Sequence, residues 1–136
     1  MTNFGKRSIP PTVMVIFGAS GDLTSRKLMP ALFNLSVDKL LPERFFLIGY
    51  GRKSASNEQF REILKKSLSA HSRRPIEENA WNSLAPGISF HNGAYDDPTS
   101  FEALKSKIEG IEESVGEPMQ TIFYLSTPPS GFLPIL

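Results

Sequence analysis

Five apolar residues, Val13-Met-Val-Ile-Phe17, run straight into Gly18-Ala19-Ser20-Gly21, and Asp22-Leu23 then opens a helical spacing. A short apolar run with β-branched residues is the pattern of a strand buried on both faces, as in parallel sheets. Gly18 and Gly21 permit a sharp turn because no Cβ stands in the way. The first turn of a following helix leaves N–H groups unpaired and a partial positive charge aimed over the loop. Such a place suits a phosphate or pyrophosphate. This stretch predicts a dinucleotide-binding strand–turn–helix, and the remaining chain is read against it.

Residues 1–12 read as a flexible tail, since Asn3, Gly5 and the Pro10-Pro11 pair oppose regular structure. After the glycine turn, Leu28, Leu32, Phe33 and Leu35 recur at loosely helical spacing, with Pro30 implying a kink or a late helix start. A second strand is expected over Arg44–Tyr50, followed by a loop at Gly51-Arg52-Lys53-Ser54. Ser56-x-x-Gln59 has capping-box form and opens a helix ending near Ala70, with His71 in the basic loop beyond it. A short helix over residues 76–84 precedes a third strand over Ile88–Tyr95. Asp97-Pro98 supplies an N-cap and a proline suited to the first helical turn, and Gly116 ends that helix. Thr121–Ser126 completes the alternation as a fourth strand. Strands alternating with helices predict an α/β, Rossmann-like doubly wound parallel sheet over residues 13–136. Such folds normally continue with another helix after a strand, so the domain reads as incomplete at its C-terminus.

Composition removes several function classes. A net charge of +1 gives no electrostatic case for nucleic acid or an anionic membrane. The chain has no cysteine, hence neither disulfides nor thiolate chemistry, and no apolar run long enough to span a bilayer. With no signal-peptide pattern near Met1, a cytoplasmic location is expected.

The first turn is Gly18-x-x-Gly21 rather than a full G-x-G-x-x-G, with Ser20 at the second glycine position. A Walker-type loop is excluded because Asp22, not Lys, follows Gly21. The end of the second strand selects the coenzyme. An NAD site places Asp or Glu there for the ribose hydroxyls, whereas this chain has Gly49-Tyr50-Gly51-Arg52-Lys53. A guanidinium can pair with a 2′-phosphate and stack on adenine, so Arg52, assisted by Ser20, favours NADP. The plainer alternative for Arg52 is a solvated loop charge.

Gly18-Ala-Ser-Gly-Asp-Leu-Thr-Ser-Arg-Lys27 with Pro30, Gly49-Tyr-Gly-Arg52, Tyr95-Asp96-Asp97 and Tyr124-Leu-Ser-Thr-Pro-Pro129 follow in order along the chain. Together they resemble the landmarks of the glucose-6-phosphate dehydrogenase family, over roughly the first quarter of such an enzyme. The resemblance implies that Gly18, Ala19, Ser20, Gly21, Asp22 and Leu23 cradle the pyrophosphate, and that Ser20 and Arg52 hold the 2′-phosphate. Tyr95 and Asp96 match a segment lining the coenzyme cleft, although strand-end caps would look the same, and Pro128 lies beside the nicotinamide end. Lys27 matches a lysine pointing to the substrate side; the alternative is a surface lysine on the first helix.

The implied reaction is hydride transfer from C1 of glucose 6-phosphate to NADP⁺. Its histidine base and partner aspartate match neither His71 nor His91, the latter expected to point off a strand, so no catalytic residue is assigned within the chain. A larger substrate domain would carry those groups and most subunit contacts, implying a homo-oligomeric enzyme but a monomeric fragment. A non-catalytic NADP-sensing or scaffold module is the alternative. A short-chain reductase is excluded because no Tyr-x-x-x-Lys occurs.

Overall fold

The computed structural model describes residues 10–18, 27–42, 44–52, 55–71, 76–94 and 96–125. Its strands are β1 (Thr12–Phe17), β2 (Phe45–Gly51), β3 (Ile88–Asn92) and β4 (Gln120–Leu125). The α-helices are α1 (Met29–Val37), α2 (Asn57–His71), α3 (Glu78–Leu84) and α4 (Pro98–Val115), with a 3₁₀ turn at Ala85–Gly87. All pairings are parallel, and the strand order is β3-β2-β1-β4. The chain therefore steps outward from β1 to β2 and β3, then returns to lay β4 on the other side of β1. This reversal is the topological switch at which open α/β sheets take ligands.

Strand alternation sorts side chains onto two faces, each with its own core. Ile16, Leu47, Ile88 and Phe90 pack with Met29, Leu32 and Phe33 of α1, Phe60, Leu64 and Leu68 of α2, and Trp81 and Leu84 of α3. Val13, Val15, Phe17, Ile48 and Tyr50 face the other way, against Leu104, Phe101, Ile108 and Ile111 of α4. The doubly wound arrangement follows directly.

Local chemistry sets the helix ends. Pro30 lies in the first turn of α1, where a missing N–H costs nothing, so it marks a late helix start. Ser56 N donates to Gln59 Oε1 (2.8 Å) and Gln59 N to Ser56 Oγ (3.1 Å), completing the capping box. Asp97 accepts from Thr99 N at 3.0 Å, and Gly116 ends α4. α1 ends differently, with Lys39 at φ 58°, Lys39 N donating to Ser36 O (3.1 Å) and Leu40 N to Leu35 O (2.8 Å). That is a Schellman end with a lysine where glycine is preferred.

Some boundaries differ from expectation. Thr12, placed in the tail by its sequence, opens β1, and Pro11 O accepts from Gln120 N at 2.9 Å. β2 begins and ends one residue later than expected, and His71 is the last residue of α2 rather than part of a loop. β3 ends at Asn92 instead of residue 95, and Ala94 beyond it accepts from the Tyr50 hydroxyl rather than from a neighbouring strand's backbone. As an edge strand, β3 also draws partners from α2: Phe90 N donates to Asn57 Oδ1 and Arg61 Nε to Ile88 O, both at 2.9 Å.

Candidate functional site

Parallel pairing brings the four strand ends to one edge. Phe17 lies opposite Tyr50 on one side and Leu125 on the other, while Gly51 lies opposite Asn92. Gly18 follows β1 with φ at 84°, the left-handed conformation that its sequence position requires, and its N–H donates to Tyr50 O at 3.0 Å. Arg52 follows β2 on the same edge and is exposed. No carboxylate occurs in Gly49-Tyr50-Gly51-Arg52, and the first charged residue after the second strand is the exposed Arg52.

After β3, Gly93 N donates to Gly51 O at 2.8 Å, and Ala94 O accepts from the Tyr50 hydroxyl at 2.7 Å. Asp96 is exposed in the turn that follows. Asp97 caps α4 through Thr99 N and also accepts from Ser100 Oγ at 3.1 Å. His91 is half-buried and stacks on Tyr50, with centroids 5.5 Å apart. Its Nε2 lies 3.2 Å from Ser100 O. A carbonyl can only accept, so Nε2 carries the proton. Burial pushes the His91 pKa below the ordinary imidazole value; the Ser100 bond opposes this, and Lys107 adds to it. Among the described residues no group of His, Cys, Asp or Glu could hold a metal ion, and no helix is long and apolar enough to cross a membrane.

Residues 15–136 match the family model described as "Glucose-6-phosphate dehydrogenase, NAD binding domain". The chain belongs to the glucose-6-phosphate dehydrogenase family. It is 41% identical over 129 residues to glucose-6-phosphate 1-dehydrogenase of Chlamydia muridarum, covering 93% of this chain and 25% of that protein. The Chlamydia pneumoniae enzyme is 35% identical over 130 residues, covering 96% of this chain and 25% of the relative. A solved glucose-6-phosphate dehydrogenase in complex with its substrate glucose-6-phosphate aligns with a TM-score of 0.83 at 37% identity, covering 93% of this chain and 26% of that one. The chain spans about a quarter of the length of these relatives.

Against the glucose-6-phosphate dehydrogenase landmarks, the structure brings Gly18 and Arg52 to neighbouring strand ends and places Asp96 beyond the third. Lys27 is exposed in a π-type turn leading into α1. Ala19, Ser20, Gly21, Asp22, Leu23, Tyr95 and Pro128 lie outside the described residues. Two residues with a structural part at this edge had no assigned role in the sequence, Tyr50 and Gly93. For Tyr50 the signals were its place in the Gly49-Tyr-Gly-Arg52 landmark and a hydroxyl in an otherwise apolar strand.

Proposed function

We propose that this chain is the NADP-binding part of a glucose-6-phosphate 1-dehydrogenase, the enzyme that oxidises C1 of glucose 6-phosphate to the lactone. The observation carrying the coenzyme choice is Arg52, exposed immediately beyond a strand end without a carboxylate and beside the left-handed Gly18 turn. A 2′-phosphate there meets a guanidinium, which can bind it through paired charge-assisted hydrogen bonds. The pyrophosphate lies over the Gly18–Leu23 turn, Asp96 lines the adenosine side with Tyr95, and Pro128 borders the nicotinamide. Lys27 faces the substrate side.

Bound NADP⁺ supplies the hydride acceptor; the chain's own residues bind and orient it. The base that removes the proton of the C1 hydroxyl and the contacts to the substrate phosphate are assigned to other segments of the enzyme. Subunit contacts are assigned there as well, so the 136-residue chain is expected to sediment as a monomer. The enzyme is expected to work in the cytoplasm.

Calorimetric titration of the chain with NADP⁺ and NAD⁺ tests the reading. NADP⁺ is expected to bind more tightly, and Arg52→Glu to remove that preference, a loss of about 1.5–3 kcal/mol for a hydrogen bond to a charged group. Equal affinity for the two coenzymes in the wild-type chain contradicts it.

A further inference from the structure

Tyr50 leaves no surface exposed, yet it carries a hydroxyl in the middle of an apolar core. A buried phenol needs a partner. It finds one 44 positions away in the chain, donating to Ala94 O at 2.7 Å. Ala94 lies beyond β3, where the ladder that would otherwise hold the backbone has ended.

The loop lies directly on the phenol. A Cβ built at Gly93 would fall 2.5 Å from Tyr50 Oη, 2.8 Å from Cζ and 2.8 Å from Ser100 Cβ. The Tyr50 ring is stacked on His91 at 5.5 Å and on Phe101 at 5.4 Å. Its carbonyl accepts from Gly18 N at 3.0 Å, and Gly51 O accepts from Gly93 N at 2.8 Å. One residue thus joins the glycine turn, the strand end carrying Arg52, the loop carrying Asp96 and the start of α4. A phenylalanine would keep both stacks; what the hydroxyl adds is the tie to the loop.

We propose that Tyr50 is a positioning residue for the adenosine half of the coenzyme site, its hydroxyl fixing Gly93 and Ala94 beside the strand end that carries Arg52. The inference rests on the coenzyme reading above, because the side of the sheet holding β2 and β3 receives the adenosine in doubly wound folds. Tyr50 does not touch the coenzyme; it acts through the loop.

The test compares the wild-type chain with Tyr50→Phe by amide hydrogen exchange and by titration with NADP⁺, 2′,5′-ADP and nicotinamide mononucleotide. In the variant, exchange is expected to accelerate at residues 94–97 while the β1 and β2 amides keep their protection. Affinity for NADP⁺ and for 2′,5′-ADP is expected to fall by the same factor, about three- to tenfold for one neutral hydrogen bond. Binding of nicotinamide mononucleotide should not change. A merely structural role would lower the melting temperature without this split between ligand halves. Unchanged exchange at residues 94–97, or equal losses for all three ligands, would overturn the proposal. A wild-type chain that binds neither NADP⁺ nor 2′,5′-ADP overturns the coenzyme reading itself, and with it the adenosine role assigned to Tyr50.

Discussion

Adding one methyl group at position 93 should cost far more than a surface glycine change allows. The Cβ of Gly93→Ala meets Tyr50 Oη at 2.5 Å, Tyr50 Cζ at 2.8 Å and Ser100 Cβ at 2.8 Å. Favourable heavy-atom contacts lie near 3.5–4.0 Å, so the overlap approaches 1 Å against both residues. The ring has little room to retreat, stacked as it is on His91 and Phe101. Overpacking of this kind costs about 1–3 kcal/mol. A displaced phenol also loses its bond to Ala94, worth about 0.5–1.5 kcal/mol. The sum is about 3 kcal/mol. With a urea slope of about 2 kcal/mol per molar, the unfolding midpoint should fall by about 1.5 M at unchanged slope. Gly110→Ala is the internal control, because nothing lies within 4 Å of a Cβ at that position in α4. It should stabilise the fold by about 0.5–1 kcal/mol. If Gly93→Ala shifts stability by less than about 0.5 kcal/mol, the tight crossing over Tyr50 is wrong.

Two further substitutions probe features that local sequence did not announce. Lys39 sits at φ 58°, in the left-handed region, at the end of α1. Lys39→Gly should therefore raise stability by about 0.5–1 kcal/mol in chemical denaturation, the left-handed penalty less glycine's greater unfolded entropy. A loss would argue against the Schellman end. His91 has a folded-state pKa below its unfolded value, chiefly through burial. Its neutral form favours the fold, so its contribution is present above about pH 6.5 and is lost as pH falls through the lower folded pKa. His91→Gln should flatten the stability profile between pH 7 and 5 relative to wild type, while His71 is common to both chains. Parallel profiles would contradict the assignment.

What the sequence made legible was local. The Ser56–Gln59 box, the Asp97-Pro98 cap and the Pro30 helix start are each set by a few neighbouring residues, and each was found where expected. The fold class followed from strand and helix alternation, and the Gly18 and Arg52 strand ends from the apolar runs that precede them. The early end of β3 was not legible, and the bond that holds Ala94 beyond it comes from a hydroxyl on another strand. His91 was expected to point off a strand; it does leave the sheet, but into a stack with Tyr50 and towards Ser100 O, a contact fixed only by packing α4 on that face. Lys39 carries no sign of its left-handed backbone, since lysine is not a residue selected for it.

The central claim is that an adenine dinucleotide lies across the carboxyl edge of the sheet with its 2′-phosphate at Arg52. Amide chemical-shift mapping of the chain during NADP⁺ titration tests it most directly. The largest shifts are predicted at Gly18, Gly51, Arg52 and residues 93–96, with Thr12, Phe45 and Gln120 at the opposite edge unmoved. Shifts centred on that opposite edge, or an Arg52 signal indifferent to whether NADP⁺ or NAD⁺ is added, would contradict the account.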